Sequence, residues 1–390
     1  MSLKVASRGQ IPPFIVMEVM RAANAREVAG KAVYHLEVGQ PGTSAPQGVI
    51  LAAQAALVNQ RLGYTEALGT TSLRQAIVRH YKDFYGISID VERVIATTGS
   101  SAGFVLSFLS AFDPGDRVAL ASPSYPCYRN TLSALGVEPV LLSCGIEERF
   151  QPNTALLDQV LAEGPLHGLI LASPSNPAGT MLNEVQLEEL CHYCRKHGIR
   201  LISDEIYHGI SYEETATSAL AFTDDAIVVN SFSKYFSMTG WRIGWIVMPI
   251  DLARSIECIS QSIYISPPTL SQIAGVAAFQ CREELDANVA RYANNRNLLL
   301  RELPKAGFER FAPADGAFYI YTDVSDITND SEAYCRSLLD RTGVAATPGV
   351  DFDPTQGKRF VRFSFAGGTD EIAGAAKALV ADHALREPFN

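Results

Sequence analysis

The chain has 390 residues, 47% of them hydrophobic and 19% charged, with a formal net charge of −10. That mix can bury a large core and fits two or three domains at roughly 150 residues each. An acidic chain without a basic stripe is a poor nucleic-acid binder, because phosphate neutralisation supplies most of that affinity.

The opening residues, MSLKVASRGQIPPF, hold no continuous apolar run. No signal peptide is expected there, and no run of about 18 apolar residues predicts a membrane helix. Seven cysteines, an odd number spread along the chain, fit a reducing cytoplasm better than a disulfide framework.

An extended stretch at 33–38 comes first. Seven strands are then predicted at 93–98, 117–122, 139–143, 168–173, 200–205, 226–231 and 243–248, with helices between most of them. Such alternation implies crossover units, a mainly parallel sheet and ligands beyond its carboxyl ends. One intervening helix carries Cys191 and Cys194 on its apolar side with Leu187 and Leu190, which reads as buried thiols. No metal is expected, because a zinc site needs more ligands than that stretch supplies. Beyond about residue 265 the pattern changes to a long helical stretch, 268–303, broken near Cys281. Two strand-like stretches, FERFAPADGAFYIYTDV and KRFVRFSFAG, and a closing helix follow. We therefore expect a large domain at 46–285 and a smaller α+β domain built from 1–45 and 286–390.

Three predicted strand ends carry reactive groups. Gly99, Ser100 and Ser101 sit between a strand and an apolar helix. Free N–H groups, hydroxyls and the positive end of a helix dipole suit a phosphate there, although a plain serine cap is the simpler alternative. The same residues match G-x-S-x-G, with Ser101 as a hydrolase nucleophile and His208 or His383 downstream. Asp204 ends another strand, with Tyr207 close behind it. Ser231, Ser233 and Lys234 follow a third, and their S-x-x-K match lacks the companion motifs of penicillin-recognising enzymes. Lys234 lies among Ser, Phe, Tyr and Met with no other charge for several residues, surroundings that favour a neutral, nucleophilic amine. Arg242 follows between Gly240 and Gly244 and offers a fork for a phosphate dianion. An amine for an aldehyde, an acid for a ring nitrogen, a phenol for a ring oxygen and donors for a phosphate match pyridoxal phosphate.

At this point the chain resembles the class I, aspartate-aminotransferase-like family of pyridoxal-phosphate enzymes, whose fold is fold type I. SFSKYFSMTGWRIGW at 231–245 carries most of the resemblance. SPSNPAGT (173–180), DEIY (204–207), LEVGQP (36–41), YTEALGTTSLR (64–74), SPSYPCY (122–128) and VRFSFA (361–366) support it. It implies an aminotransferase acting between an L-amino acid and a 2-oxo acid. Lys234 would form the Schiff base with pyridoxal 5′-phosphate and shuttle the proton. Asp204 would pair with the pyridinium nitrogen, Tyr207 and Asn176 with the ring oxygen, and Tyr125 would stack on the ring. Ser100, Ser101, Ser231 or Ser233, and Arg242 would hold the phosphate. Arg362, assisted by the backbone near Gly39, would grip the substrate carboxylate. Tyr64 would reach the cofactor of a neighbouring subunit, making the unit a homodimer.

The same residues serve β-eliminating lyases of this fold, so elimination is the alternative; a Ser101 hydrolase is the remote one. Substrate side-chain recognition is expected from residues 11–15 and 261–266. Arg291 and Arg296 are expected to be solvated on a helix. Asn176–Pro177 or Ser122–Pro123 is expected to be a cis peptide.

Overall fold

The computed structural model describes residues 3–385. All seven predicted strands form one sheet. They are β1 (Val94–Thr97), β2 (Arg117–Ser122), β3 (Glu138–Ser143), β4 (Gly168–Ala172), β5 (Arg200–Asp204), β6 (Ile227–Ser231) and β7 (Gly244–Val247). Their spatial order is β1-β7-β6-β5-β4-β2-β3, and only β7 runs antiparallel to its neighbours.

Both faces of this sheet are covered. On β5, Leu201 joins one apolar cluster and Ile202 the other; on β6, Val228 and Val229 divide in the same way. A period of two with both faces apolar gives the unbroken Val/Ile/Leu runs by which these strands are readable in sequence. The helices between them start and stop on local chemistry. Glu184–His197 opens on Asn183 and Gln186, whose side chains and backbones cap one another, and ends at Gly198 in the left-handed region. Its Cys191 and Cys194 are buried in the core, as expected. Among the described residues, no group of three or more His, Cys, Asp or Glu side chains could hold a metal ion. No described helix is long and apolar enough to cross a membrane.

The 268–303 stretch forms two helices, Thr269–Ala278 and Arg282–Glu302, broken at Cys281. Beyond them lies a four-stranded antiparallel sheet of β8 (Arg310–Phe311), β9 (Tyr319–Asp323), β10 (Thr347–Pro348) and β11 (Phe360–Ser364). The N-terminal segment joins this region. Tyr34–His35 pairs in parallel with Val344–Ala345, and the Ser364 N–H donates to the Leu36 carbonyl. Ser122–Pro123 and Asn176–Pro177 are both cis, as expected, and Ser173–Pro174 is a third.

Candidate active site

Six of the seven sheet strands point their carboxyl ends at one edge, and β7, running the other way, brings Arg242 to that edge from its amino end. Asp204 ends β5. Lys234 follows β6, Ser100 follows β1, Tyr125 follows β2 and Asn176 follows β4. All of them line one cavity of about 260 Å³ together with Ser101, Tyr207, Ser233, Arg242, Gly39 and Arg362. Chain segments far apart in sequence therefore converge where an open α/β sheet places its ligands.

Lys234 directs its Nζ to the Gly39 carbonyl at 2.5 Å. Its pKa falls to about 8. Burial is the main cause; Arg362 and Arg242 push the same way, and Asp204 opposes them. The neutral amine at pH 7 is then enriched on the order of a hundredfold over a free lysine. A side chain on Gly39 would meet the Tyr319 hydroxyl at 1.8 Å, so only glycine lets the backbone pass this close.

Asp204 is buried, and burial raises its carboxyl to about 6. The Tyr128 hydroxyl and the Ile206 N–H (3.0 Å) both donate to it, which favours the carboxylate. Tyr128 escaped the sequence reading, although it ends the SPSYPCY motif in which only Tyr125 received a role. Tyr207 shares a 2.7 Å hydrogen bond with the hydroxyl of Tyr319, a second residue the sequence did not single out.

Arg362 is buried between two rings, its guanidinium carbon 4.4 Å from the Tyr319 centroid and 4.6 Å from that of Phe352. Its Nη1 donates to Asn176 Oδ1 at 2.8 Å, and its Nη2 donates to the Glu37 carbonyl and to Thr347 Oγ1 at 3.2 Å. Its Nε is buried with no partner in the structure. Such a stacked, oriented guanidinium with an unused donor suits a carboxylate.

At the other end, Gly99 (φ +81°) caps the helix Ser100–Ala111. A side chain there would lie 2.6 Å from Arg242 Nη2, so the arginine rests directly on the turn. Ser100 and Ser101 open that helix beside Ser233, an arrangement of N–H groups, hydroxyls and a guanidinium that suits an anion. Ser231 does not line the cavity. Its hydroxyl donates to the Ile243 carbonyl (3.1 Å) and shares a 2.8 Å hydrogen bond with Ser233 Oγ. Nor does Tyr64, which is 83% exposed on this single chain.

Neither histidine named for a Ser101 hydrolase lines the cavity of that serine. His208 is buried, with Nδ1 engaged by Tyr85 and Nε2 by the Ser173 carbonyl, and His383 lies against Gly307. Arg291 and Arg296, expected to be solvated, are packed instead. Arg296 donates to the Ala314 carbonyl at 2.6 Å and stacks over Tyr212, while Nε and Nη2 of Arg291 are buried beside Tyr292. Their helix carries Tyr292, Asn295 and Leu299 into the core and so draws the neighbouring arginine stems inward.

The cavity's roof is apolar. The helix Ile15–Val28 and the residue before it lay Phe14, Val16, Met17 and Met20 along it, and the Phe14 ring sits 5.9 Å from that of Tyr125. Of the two stretches expected to read the substrate, 11–15 contributes only Phe14, and 261–266 contributes nothing on this chain.

The profile of the family "Aminotransferase class I and II" matches residues 31–379. Valine–pyruvate aminotransferase from Mycobacterium tuberculosis is 48% identical, covering 97% of this chain and 98% of that protein. The (5-formylfuran-3-yl)methyl phosphate transaminase of Methanocaldococcus jannaschii is 33% identical, covering 92% and 94%. A crystal structure of an aminotransferase from Mycobacterium tuberculosis superposes with a TM-score of 0.96 at 47% identity, covering 99% of this chain and all of that one. These relatives transfer amino groups, so they do not favour the elimination alternative, and the serine hydrolase is set aside. The converging strand ends, the half-buried lysine and the full-length similarity agree: this chain is an aminotransferase of the class I and II family, with the fold type I architecture.

Proposed function

We propose that this aminotransferase holds pyridoxal 5′-phosphate on Lys234 and exchanges amino groups between an apolar L-amino acid of the valine type and a small 2-oxo acid such as pyruvate. The observation that carries the reading is the buried amine of Lys234, its pKa pulled to about 8, in one cavity with Arg362. The donor set fits the cofactor: Arg242 resting on the Gly99 turn marks a phosphate cradle, and the buried Asp204 carboxylate, held by Tyr128 and the Ile206 N–H, lines the same cavity.

When bound, the cofactor supplies an aldehyde to take up the amino group and a ring that draws electrons from the substrate α-carbon. The chain's own groups do the rest. Lys234 Nζ, neutral in good part near pH 8, would hold the cofactor at its aldehyde carbon with loss of the aldehyde oxygen as water, and is placed to take and return the α-proton. The Asp204 carboxylate, oriented by Tyr128, would hold a proton on the ring nitrogen. The Tyr207 hydroxyl and the amide nitrogen of Asn176, whose oxygen is committed to Arg362, would donate to the ring oxygen. Tyr125 would stack on the ring. Ser100, Ser101, Ser233 and Arg242 bind the phosphate, with Ser231 orienting Ser233 rather than touching it. Arg362 grips the α-carboxylate and so fixes which α-substituent faces Lys234.

The apolar roof and the name of the 48% identical relative support a valine-type substrate. A dicarboxylic side chain would need a facing cation, and the roof residues of this chain, Phe14, Val16, Met17 and Met20, supply none. We further propose a homodimer that shares its sites. Leu51, Leu57, Val58 and Leu62 are exposed just before Tyr64, and Ile263 and Ile265 adjoin them through the Thr65 N–H to Ser266 hydrogen bond. Exposed apolar side chains on neighbouring segments suit a protein interface. The division into a 46–285 unit and a unit of both chain ends belongs to the same proposal, as does a cytoplasmic home, supported by seven free thiols.

Incubation of the reconstituted protein with valine and pyruvate tests the reading. Alanine and 3-methyl-2-oxobutanoate should form in equal amounts. Ammonia release without alanine, or a strong preference for aspartate over valine, would overturn it.

A further inference from the structure

We propose that Asp351 is a positioning residue that fastens the N-terminal helix down as the roof of the substrate cavity, so that the roof and the carboxylate-binding Arg362 hang from one loop. The inference rests on the reading of this cavity as an aminotransferase site for apolar amino acids.

The helix Ile15–Val28 has no cap of its own. The residue before it is Phe14, whose side chain accepts no hydrogen bond, so the Ile15 and Val16 N–H groups lack a local partner. Asp351 supplies one from 336 residues away. Its Oδ1 accepts from the Ile15 N–H at 2.9 Å and its Oδ2 lies 3.3 Å from the Val16 nitrogen. A carboxylate at this end also meets the positive pole of the helix dipole. The chain just before the helix is held by Asn130 Nδ2, which donates to the Pro12 carbonyl at 3.2 Å, and by the Phe14 ring beside Tyr125. Ala23 is the helix's only buried residue and lies two turns farther on, against Leu339 and Ala345.

A remote cap could be stabilisation alone. The loop that carries Asp351 indicates more. It joins β10 to β11, the strand of Arg362, and its next residue, Phe352, stacks on the Arg362 guanidinium. Arg129 anchors the loop by donating to the Asp351 carbonyl at 2.6 Å and to the Phe352 carbonyl at 3.1 Å, and the Ser124 N–H donates to the latter as well. One rigid loop thus fixes the arginine that holds a substrate's carboxylate and the helix turn that carries Val16, Met17 and Met20 over its side chain. The distance between these two grips sets which side chain fits. Releasing the roof should therefore penalise a substrate that reaches it and spare one that does not.

The test uses the holoenzyme and compares Asp351→Ala, Asp351→Asn and wild type with valine and with alanine as amino donors. Removing a helix cap of this kind should raise the KM for valine roughly five- to tenfold, leave kcat within about twofold and leave alanine nearly unchanged, since a methyl group does not reach the roof. Asp351→Asn keeps one acceptor and should recover part of the loss. Hydrogen exchange gives a readout independent of catalysis: the Ile15 and Val16 amides should lose protection in Asp351→Ala while the Ala23 region keeps it. Equal losses for valine and alanine, or unchanged protection of the two amides, would overturn the proposal. If Asp351→Ala does not fold, Val16→Ala with Met17→Ala reports on the same roof, and a loss shared equally by both donors would again count against it. A wild-type enzyme that accepts neither valine nor alanine would refute the functional reading instead.

Discussion

The floor and the roof of the cavity are built on opposite principles. The floor is the carboxyl edge of the seven-stranded sheet, where Asp204, Tyr207 and Ser233 are buried and Lys234 and Arg242 meet them within a hydrogen-bonded frame. The roof is one helix with a single buried residue, Met17 about half exposed, and a cap borrowed from Asp351. On the proposed reading the floor acts on the amino group and α-proton that every amino acid shares, and Arg362 on β11 grips the shared carboxylate. The roof acts on what differs. Rigid elements set chemistry with little tolerance for displacement, while a lightly held helix can change its apolar lining without disturbing that chemistry.

Substitutions on the two sides should therefore differ in size and in selectivity. The largest effect belongs to Lys234→Ala, which on the proposed reading removes the covalent anchor and the proton carrier together. Turnover should fall at least ~10⁴-fold while the melting temperature moves by only a few degrees. A variant that retained a tenth of the activity would break the assignment of floor chemistry to this amine.

Next comes Arg362→Lys. An ammonium cannot present a fork or stack equally between Tyr319 and Phe352, so kcat/KM should fall ~10²–10³-fold. The loss should be the same for valine and alanine, because both carry the α-carboxylate. A loss confined to valine would place Arg362 functionally with the roof.

Tyr128→Phe takes a donor from Asp204. The carboxyl, already raised to about 6 by burial, should move farther up. A less ionised Asp204 should weaken cofactor binding by about tenfold in an absorbance titration. The same electrostatics fix the titration of Lys234. Its pKa is depressed when folded, so the neutral amine prevails above about pH 8 and is lost as pH falls through that value. Reductive alkylation of the cofactor-free protein should show this midpoint at residue 234. Arg362→Gln should raise it, since a repelling cation is gone, and Asp204→Asn should lower it. Shifts in the opposite directions would contradict the charge arrangement described here.

The smallest effect is expected from Met20→Ala. Losing part of an apolar contact costs about 1 kcal/mol. The KM for valine should then rise a fewfold, with alanine unaffected, in steady-state assays. An equal change for both donors would erase the distinction between floor and roof.

Legibility in the sequence follows the same division. Lys234, Asp204, Asn176 and Arg242 stand next to strand ends, and strand ends are readable because buried parallel strands are short, continuous apolar runs. Tyr128 and Tyr319 were not readable in this way. A tyrosine on a helix or strand looks the same whether it fills a core or reaches a carboxylate, and only packing places the Tyr128 hydroxyl on Asp204 and the Tyr319 hydroxyl on Tyr207. Ser231 and Ser233 stand two residues apart as equal candidates until the turn after β6 points the first at the Ile243 carbonyl. The solvated arginines failed for a related reason. Helical spacing gives a residue's angle around its axis but not what lies against that face, which at Arg296 is Tyr212 and the Ala314 carbonyl.

The sequence by itself determined the sheet, its seven strands and the reactive groups at their ends, because local propensity, apolar periodicity and short motifs are properties of neighbouring residues. Only the tertiary structure decided which helix roofs the cavity and what holds it. That contact joins Asp351 to Ile15 across almost the whole chain, and no local pattern records a hydrogen bond between residues 336 positions apart.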